Sequence, residues 1–236
     1  MNTKNFIFAT ALFFSTFAAA ATTFETAPQA APTEKAWTNT IGLGLAMPVS
    51  RHNVNGNEPR YIGVGMEFTY FGMAKNGFSL EMNYAGGIAS TDDIKFEGSK
   101  HNAESDRYTS FDFGLGYTFG AGKKYSLSVL VTVGYEVAYF ESESKEYQHE
   151  ELGKVDRHFE ESLGGITLGG DIIGRKSITD HTSIYASVGT RWIAKSISMS
   201  TVTYEKGDDT RTDTHTNDDN SGKYSVVPSI GVMYSF

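Results

Sequence analysis

Apolar residues alternate with small or polar residues in eight stretches of the chain after Trp37. This period of two predicts β-strands with one apolar face, because successive side chains of a strand point to opposite sides. In the most regular stretch, every second residue from Leu127 to Tyr139 is Leu, Val or Tyr. The predicted strands are 38–49, 61–71, 78–88, 108–119, 125–139, 163–173, 182–197 and 224–236. The chain is therefore predicted to be all-β.

The polar face of these strands distinguishes a membrane barrel from a soluble one. It consists mainly of Gly, Ser, Thr and Ala, whereas the wet surface of a soluble barrel would normally carry many Lys and Glu. The apolar face carries no charge over the predicted strands, and a Lys or Arg facing the bilayer midplane costs roughly 2–4 kcal/mol. We expect the apolar face to contact lipid and the small polar residues to fill a narrow interior.

The connections between the predicted strands alternate between long and short. The long ones are 50–60, 89–107, 140–162 and 198–223, and the short ones are 72–77, 120–124 and 174–181. Outer-membrane barrels have long extracellular loops and short periplasmic turns. The pattern predicts an eight-stranded antiparallel transmembrane β-barrel of the outer-membrane type. A barrel of ten strands is the alternative if Ser196 to Glu205 forms a separate strand.

The N-terminus has the features of a secretory signal peptide. Lys4 precedes an apolar run from Phe6 to Phe17, and small residues suited to cleavage follow, with the cut expected after Ala20 or Ala21. The run is shorter than the ~20 residues that span a bilayer as a helix. We predict a signal peptide over 1–21, a flexible periplasmic leader over 22–36 and the barrel over 37–236.

Composition and charge narrow the function classes. The chain has 236 residues, no Cys and a net charge of -8. Without Cys there is no disulfide scaffold and no thiolate metal site, and the acidic balance argues against a nucleic-acid partner. The acids concentrate in the predicted long loops, while the short turns are basic. Extracellular ligands or cations at the acidic loops are therefore candidate partners.

The last eight residues, Ser229 to Phe236, resemble the C-terminal assembly signal of bacterial outer-membrane proteins, in which a polar residue and Gly precede alternating hydrophobics and a terminal Phe. The residues that carry the resemblance are Ser229, Gly231, Tyr234 and Phe236. The whole barrel region resembles the small eight-stranded barrels of the OmpA/OmpX type. The resemblance implies location in the bacterial outer membrane, contact with lipid and lipopolysaccharide, and recognition by the barrel-assembly machinery.

Several charged residues fall on the predicted inward face. They are Glu67, Glu81, Asp112, Glu136, Asp171, Arg191 and Lys195. Buried charges need partners or water. Two interpretations follow: a salt-bridge network around Arg191 that plugs the barrel, or a water-filled, cation-preferring lumen. The narrow interior of eight strands favours the plug.

No catalytic, cofactor or metal motif is predicted. The six histidines show no metal-binding spacing, and Asp213 to Asp219 lacks the Gly and the closing Glu of a calcium loop. His181-Thr182-Ser183 faintly resembles the His-x-Ser motif of outer-membrane lipid A deacylases, but it is predicted at the periplasmic side. We expect a non-enzymatic barrel that presents acidic loops for surface interaction, adhesion or envelope integrity. A small porin-like pore is the alternative, and a lipid A-modifying enzyme a remote one.

Overall fold

The computed structural model describes residues 37–51, 60–92, 94–96, 99–207, 209–219 and 223–236. The predicted signal peptide and leader lie outside these ranges, as does most of the first predicted long loop. No helix within the described ranges is long and apolar enough to cross a membrane.

Nearly all described residues belong to β-strands. Their bounds are β1 Trp37–Ala46, β2 Val49–Arg51, β3 Arg60–Ala74, β4 Phe78–Thr91, β5 Ile94–Phe96, β6 Ser99–His101, β7 Ala103–Phe119, β8 Tyr125–Ser142, β9 Lys145–His149, β10 Gly153–Ser177, β11 Thr182–Lys206, β12 Asp209–Asp219 and β13 Lys223–Ser235. The turns at the periplasmic ends of β3 and β7 use Gly77 and Gly120 at positive φ, a conformation that Gly adopts without steric cost.

Eight strands close into a ring. The antiparallel pairs run β1–β3, β3–β4, β4–β7, β7–β8, β8–β10, β10–β11, β11–β13 and back from β13 to β1. The eight-stranded antiparallel barrel predicted from the sequence is confirmed. Ser196–Glu205 continues β11 without a break and pairs with β10, so it adds no further strand to the ring.

The first wall strand is interrupted at Pro48, which the sequence prediction had placed inside a continuous strand. β1 ends at Ala46 and β2 resumes at Val49, still between β13 and β3. Proline has no N–H to donate to a ladder, but its carbonyl accepts a hydrogen bond from the Gly63 N–H at 2.8 Å. The wall therefore continues through the interruption.

Alternation along the ring strands produces an apolar outer belt. On β8, Leu127, Val129, Val131, Val133 and Tyr135 are exposed, and Val131 retains 75% of its accessible surface. The intervening side chains of Ser128 and Thr132 are buried in the interior. An exposed apolar band on a closed barrel is the arrangement that a bilayer requires, because closure leaves no unpaired strand edge in lipid.

β10 and β11 continue well past this belt. Each has 25 residues, which correspond to roughly 80 Å at the usual rise per residue of a strand. We call the region beyond the belt the extracellular extension: Phe140–Ser142 of β8, β9, Gly153–Leu163 of β10, Ser196–Lys206 of β11 and β12. Segments 140–162 and 198–223, predicted as loops, are thus largely paired strands.

Candidate functional site

Arg191 lies at the centre of a charged network inside the barrel. Its Nη1 and Nη2 donate to both carboxylate oxygens of Asp171 at 2.6 and 2.8 Å, and its Nε donates to Asp112 at 2.8 Å. All three side chains are buried. Since β7 and β11 are three strands apart around the ring, the Asp112–Arg191 pair bridges the interior, as the plug interpretation expects.

A second cluster of polar side chains connects β3 with β11 and β13. Glu67 of β3 accepts hydrogen bonds from Tyr185 at 2.6 Å and from Thr69 and Ser229 at 3.2 Å each. These three donors surround one oxygen of a carboxylate that is almost fully buried. Hydrogen bonding of this kind compensates for the loss of water around a buried acid.

Two of the remaining predicted inward residues occupy the same interior. Glu81 and Glu136 are buried, and Glu81 lies within electrostatic range of Asp171, Glu67 and Arg191. Lys195 pairs with Ile166 through its backbone at a register shift between β10 and β11, and its side chain lies outside the described part of the chain. The five predicted carboxylates therefore share the interior with Arg191. Three charged residues from segments predicted as loops, Asp106, Arg157 and Glu161, are buried as well.

Apolar clusters close the interior above and below this polar layer. The periplasmic apolar cluster consists of Phe71, Met73, Leu130, Ile173, Tyr185 and Met233. Arg175 crosses this level, with its guanidinium 5.5 Å from the Phe71 ring centre and donating to the Met73 sulfur at 3.6 Å. Phe71 is thus an interior residue.

The outer apolar cluster fills the base of the extracellular extension. It consists of Tyr61, Ala138, Phe140, Val155, Phe159, Leu163, Val202 and Tyr204, drawn from four ring strands. The rings of Phe140 and Phe159 lie 6.0 Å apart, and both are fully buried. Side chains therefore meet across the barrel at its outer end as well as at its middle and periplasmic levels.

The C-terminal strand completes the ring. The Phe236 N–H donates to the Asn39 carbonyl at 2.9 Å, and the Ser235 N–H donates to the His181 carbonyl at 2.7 Å. A Cβ at Gly231 would collide with the Leu43 carbonyl oxygen and the Tyr185 ring, so only Gly fits there. Tyr234 and Phe236 face outward, while Ser229 points inward. Their role as an assembly signal stays a prediction.

His181 and Ser183 do not form a catalytic pair in this geometry. His181 is exposed at the periplasmic end, where its Nδ1 lies 3.0 Å from the Ser235 carbonyl and its ring stacks on Tyr234. Ser183 is buried in the interior. The segment with a superficial likeness to a calcium loop, Asp213–Asp219, forms part of strand β12.

The structure brings together three potential metal ligands that the sequence analysis did not group. Glu141 of β8 meets His158 and Glu160 of β10 on the outer face of the extension, with ligand atoms all within 4.8 Å of one another. His158 and Glu160 share a face because they are two residues apart in a strand. Glu141 joins them only through the β8–β10 register, so no local spacing could reveal the group.

The closed ring, the apolar belt and the filled interior decide the class. The chain is a small outer-membrane β-barrel. Its resemblance to the eight-stranded OmpA/OmpX-type barrels is confirmed at the level of the fold, and the predicted outer-membrane location follows from the exposed belt on a closed barrel.

Comparisons with known proteins give similarities to other outer-membrane barrels. Ail, the attachment invasion locus protein of Yersinia pestis, is 15% identical over 85% of this chain and 99% of its own, with a TM-score of 0.45. Neisserial surface protein A is 12% identical over 86% and 98% of the two chains (TM-score 0.46). A major outer membrane protein from Thermus thermophilus is 10% identical over 82% and 99% (TM-score 0.48). No protein-family model and no curated protein matches the sequence.

Proposed function

We propose that this protein is a non-enzymatic outer-membrane anchor whose filled barrel holds an acidic β-sheet above the membrane for contact with molecules at the cell surface. The observation that carries the proposal is the packing of side chains across the interior at three levels, combined with the long paired strands of the extension. The filled interior leaves the extension as the part available for function.

The interior supports the anchor over a pore for two reasons. Apolar side chains pack across the interior in the outer and periplasmic clusters, and Arg191 is held from two sides by Asp112 and Asp171. Displacing this arginine would leave two buried carboxylates without a cation, which is strongly unfavourable. We therefore expect thermal motion to open a continuous water-filled path through the barrel only rarely.

The extension supports the surface role. β12 pairs with β11 along its whole length, from Ser196↔Asp219 to Lys206↔Asp209, so this arm is a sheet and not a free loop. Arg211 links it to β9–β10 through Glu151 at 3.1 Å. Paired strands present their exposed side chains in fixed positions, which lowers the entropy cost of binding a partner.

Single-channel recording in planar bilayers tests the anchor. We expect refolded protein to give no persistent open state, and a double variant, Phe71→Ala with Arg175→Ala, to give at most brief openings. A persistent conductance of the unaltered protein would overturn the filled-barrel proposal in favour of the porin-like alternative.

Mass spectrometry of lipid A from cells expressing the protein tests the enzyme alternative, and an unchanged acyl content is expected.

A shortened variant tests the surface role. Met199–Thr216 would be replaced by an Asn-Gly turn that joins Ser198 to its cross-strand partner Asn217. We expect the variant to keep the heat-modifiable gel migration of a folded barrel. We expect cells carrying the full protein to gain adherence or detergent resistance, and cells carrying the shortened variant not to gain it. Equal phenotypes of the two proteins would show that the extension is not the functional part.

A further inference from the structure

Two glutamates face each other on the outside of the extension, at its base. Glu141 and Glu160 are direct cross-strand partners in the β8–β10 ladder. Like charges in that relation destabilise a sheet. The neighbouring His158 places its Nε2 3.6 Å from a Glu141 oxygen and 3.5 Å from a Glu160 oxygen. The local arrangement is therefore two anionic oxygens converging on one imidazole nitrogen.

The spacing of these atoms suits a small divalent cation. A tetrahedral Zn²⁺ with bonds of about 2.0–2.2 Å holds its ligand atoms roughly 3.3–3.5 Å apart. The two His158 distances are already close to that value, and all three ligand atoms lie within 4.8 Å of one another. A small rotation of the glutamate side chains would complete the approach.

The ligand set indicates which cation fits. One imidazole and two carboxylates match the preference of Zn²⁺ and similar transition metals for mixed N and O ligands. Ca²⁺ takes about 6–8 oxygens and Mg²⁺ requires octahedral oxygen geometry, which this group does not supply. The side chains retain 22%, 30% and 39% of their accessible surface for His158, Glu141 and Glu160, so a cation could enter from solvent.

We propose that Glu141, His158 and Glu160 form a Zn²⁺-class binding site that crosslinks β8 to β10 where the extension leaves the membrane belt. The cation relieves the repulsion between the paired glutamates, and water completes its coordination. Its structural effect is to fix the base of the extension, next to Phe140 and Phe159 of the outer apolar cluster. The site does not depend on whether the barrel conducts.

Isothermal titration calorimetry with ZnCl₂ tests the site on untagged, refolded full-length protein freed of metal by chelation. We expect one saturable site per chain, and no comparable saturable binding of Ca²⁺ or Mg²⁺. His158→Ala should weaken the tightest Zn²⁺ binding by at least ~10-fold. The double variant Glu141→Gln with Glu160→Gln preserves side-chain shape and should weaken it similarly.

His215→Ala is the matched control, because His215 is exposed on β12 outside the three-residue group. It should retain the affinity of the unaltered protein. X-ray absorption of the Zn²⁺-loaded protein should show one imidazole among light N and O ligands. The absence of saturable Zn²⁺ binding, or equal affinity in the His158→Ala and unaltered proteins while each keeps its folded-barrel gel migration, would overturn the site.

Discussion

The apolar residues of β10 lie on opposite faces in its two halves, although Arg157 and Glu161 are also buried in the extension. Within the membrane belt, Ile166, Leu168 and Ile172 point outward and Asp171 points inward. In the extension, Phe159 points inward and Glu160 outward, where it contacts His158. The β8 strand shows the same change, since exposed Val131 and Val133 lie in the outward row that ends in Glu141.

The surroundings of the barrel explain this inversion. Lipid offers no hydrogen bonds and rewards apolar outer residues, so the narrow interior becomes the place for charges. Beyond the belt, water surrounds the sheet, and apolar residues gain by packing inside as in an ordinary soluble domain. On β10 the apolar residues change from odd-numbered to even-numbered positions near Leu163. This change therefore marks the extracellular edge of the membrane-spanning region.

The largest effect is predicted for a substitution in the charged network inside the membrane belt. Arg191→Met leaves Asp112 and Asp171 buried without their cation, and removing one partner of a buried pair costs about 3–5 kcal/mol. Urea unfolding in phospholipid vesicles, followed by tryptophan fluorescence, measures it. A triple variant that also carries Asp112→Asn and Asp171→Asn should recover much of the loss. A loss below ~1 kcal/mol for Arg191→Met alone would contradict a stabilising network.

The next largest effect is predicted for a substitution in the apolar interior of the extension. Phe159→Ala removes a fully buried ring from the outer apolar cluster, a change that typically costs about 3–5 kcal/mol. We expect this loss mainly in the local opening of the extension, seen as faster amide hydrogen exchange in Gly153–Leu163. Thr214→Ala, at an exposed position of β12, should change little. Equal acceleration in the membrane segment would mean that the two halves unfold together.

A matched pair of arginine substitutions sharpens the boundary between the halves. Val131→Arg places a charge on the lipid-facing side and should cost roughly 2–4 kcal/mol near the bilayer midplane. Thr214→Arg also places a charge on an outward face, but in water, and should stay within about 0.5 kcal/mol. Unfolding free energies in vesicles measure both. Similar costs would contradict the assignment of the belt and the extension to different solvents.

The smallest effect is expected at Glu81. Glu81→Gln removes one of the surplus interior carboxylates and leaves the Arg191 pairs intact, so we expect a change within about 0.5 kcal/mol or a slight gain. Asp171→Asn breaks a bidentate charged interaction and should cost about 1.5–3 kcal/mol. The same unfolding assay compares them, and a larger cost for Glu81→Gln would reverse the ranking.

Much of the membrane barrel was predictable because its signal is local. A period of two identifies a strand and its faces without any knowledge of partners, and all six inward residues with described side chains lie in the interior. The extension was mistaken for loops for the same reason: in 140–162 the apolar residues change phase, so an outward apolar pattern ends there. Pro48 was likewise read as a strand residue, although it cannot donate to a ladder.

The sequence by itself determined the strands of the membrane belt, their two faces, the short periplasmic turns and the charge on each side, because each depends on neighbouring residues. Only the tertiary structure decided which residues meet. Arg191 of β11 reaches Asp112 of β7 past two intervening ring strands, and Glu141 reaches His158 through one register of the β8–β10 ladder. Such contacts depend on strand order, curvature and stagger around the closed ring, which the alternation along any single strand does not encode.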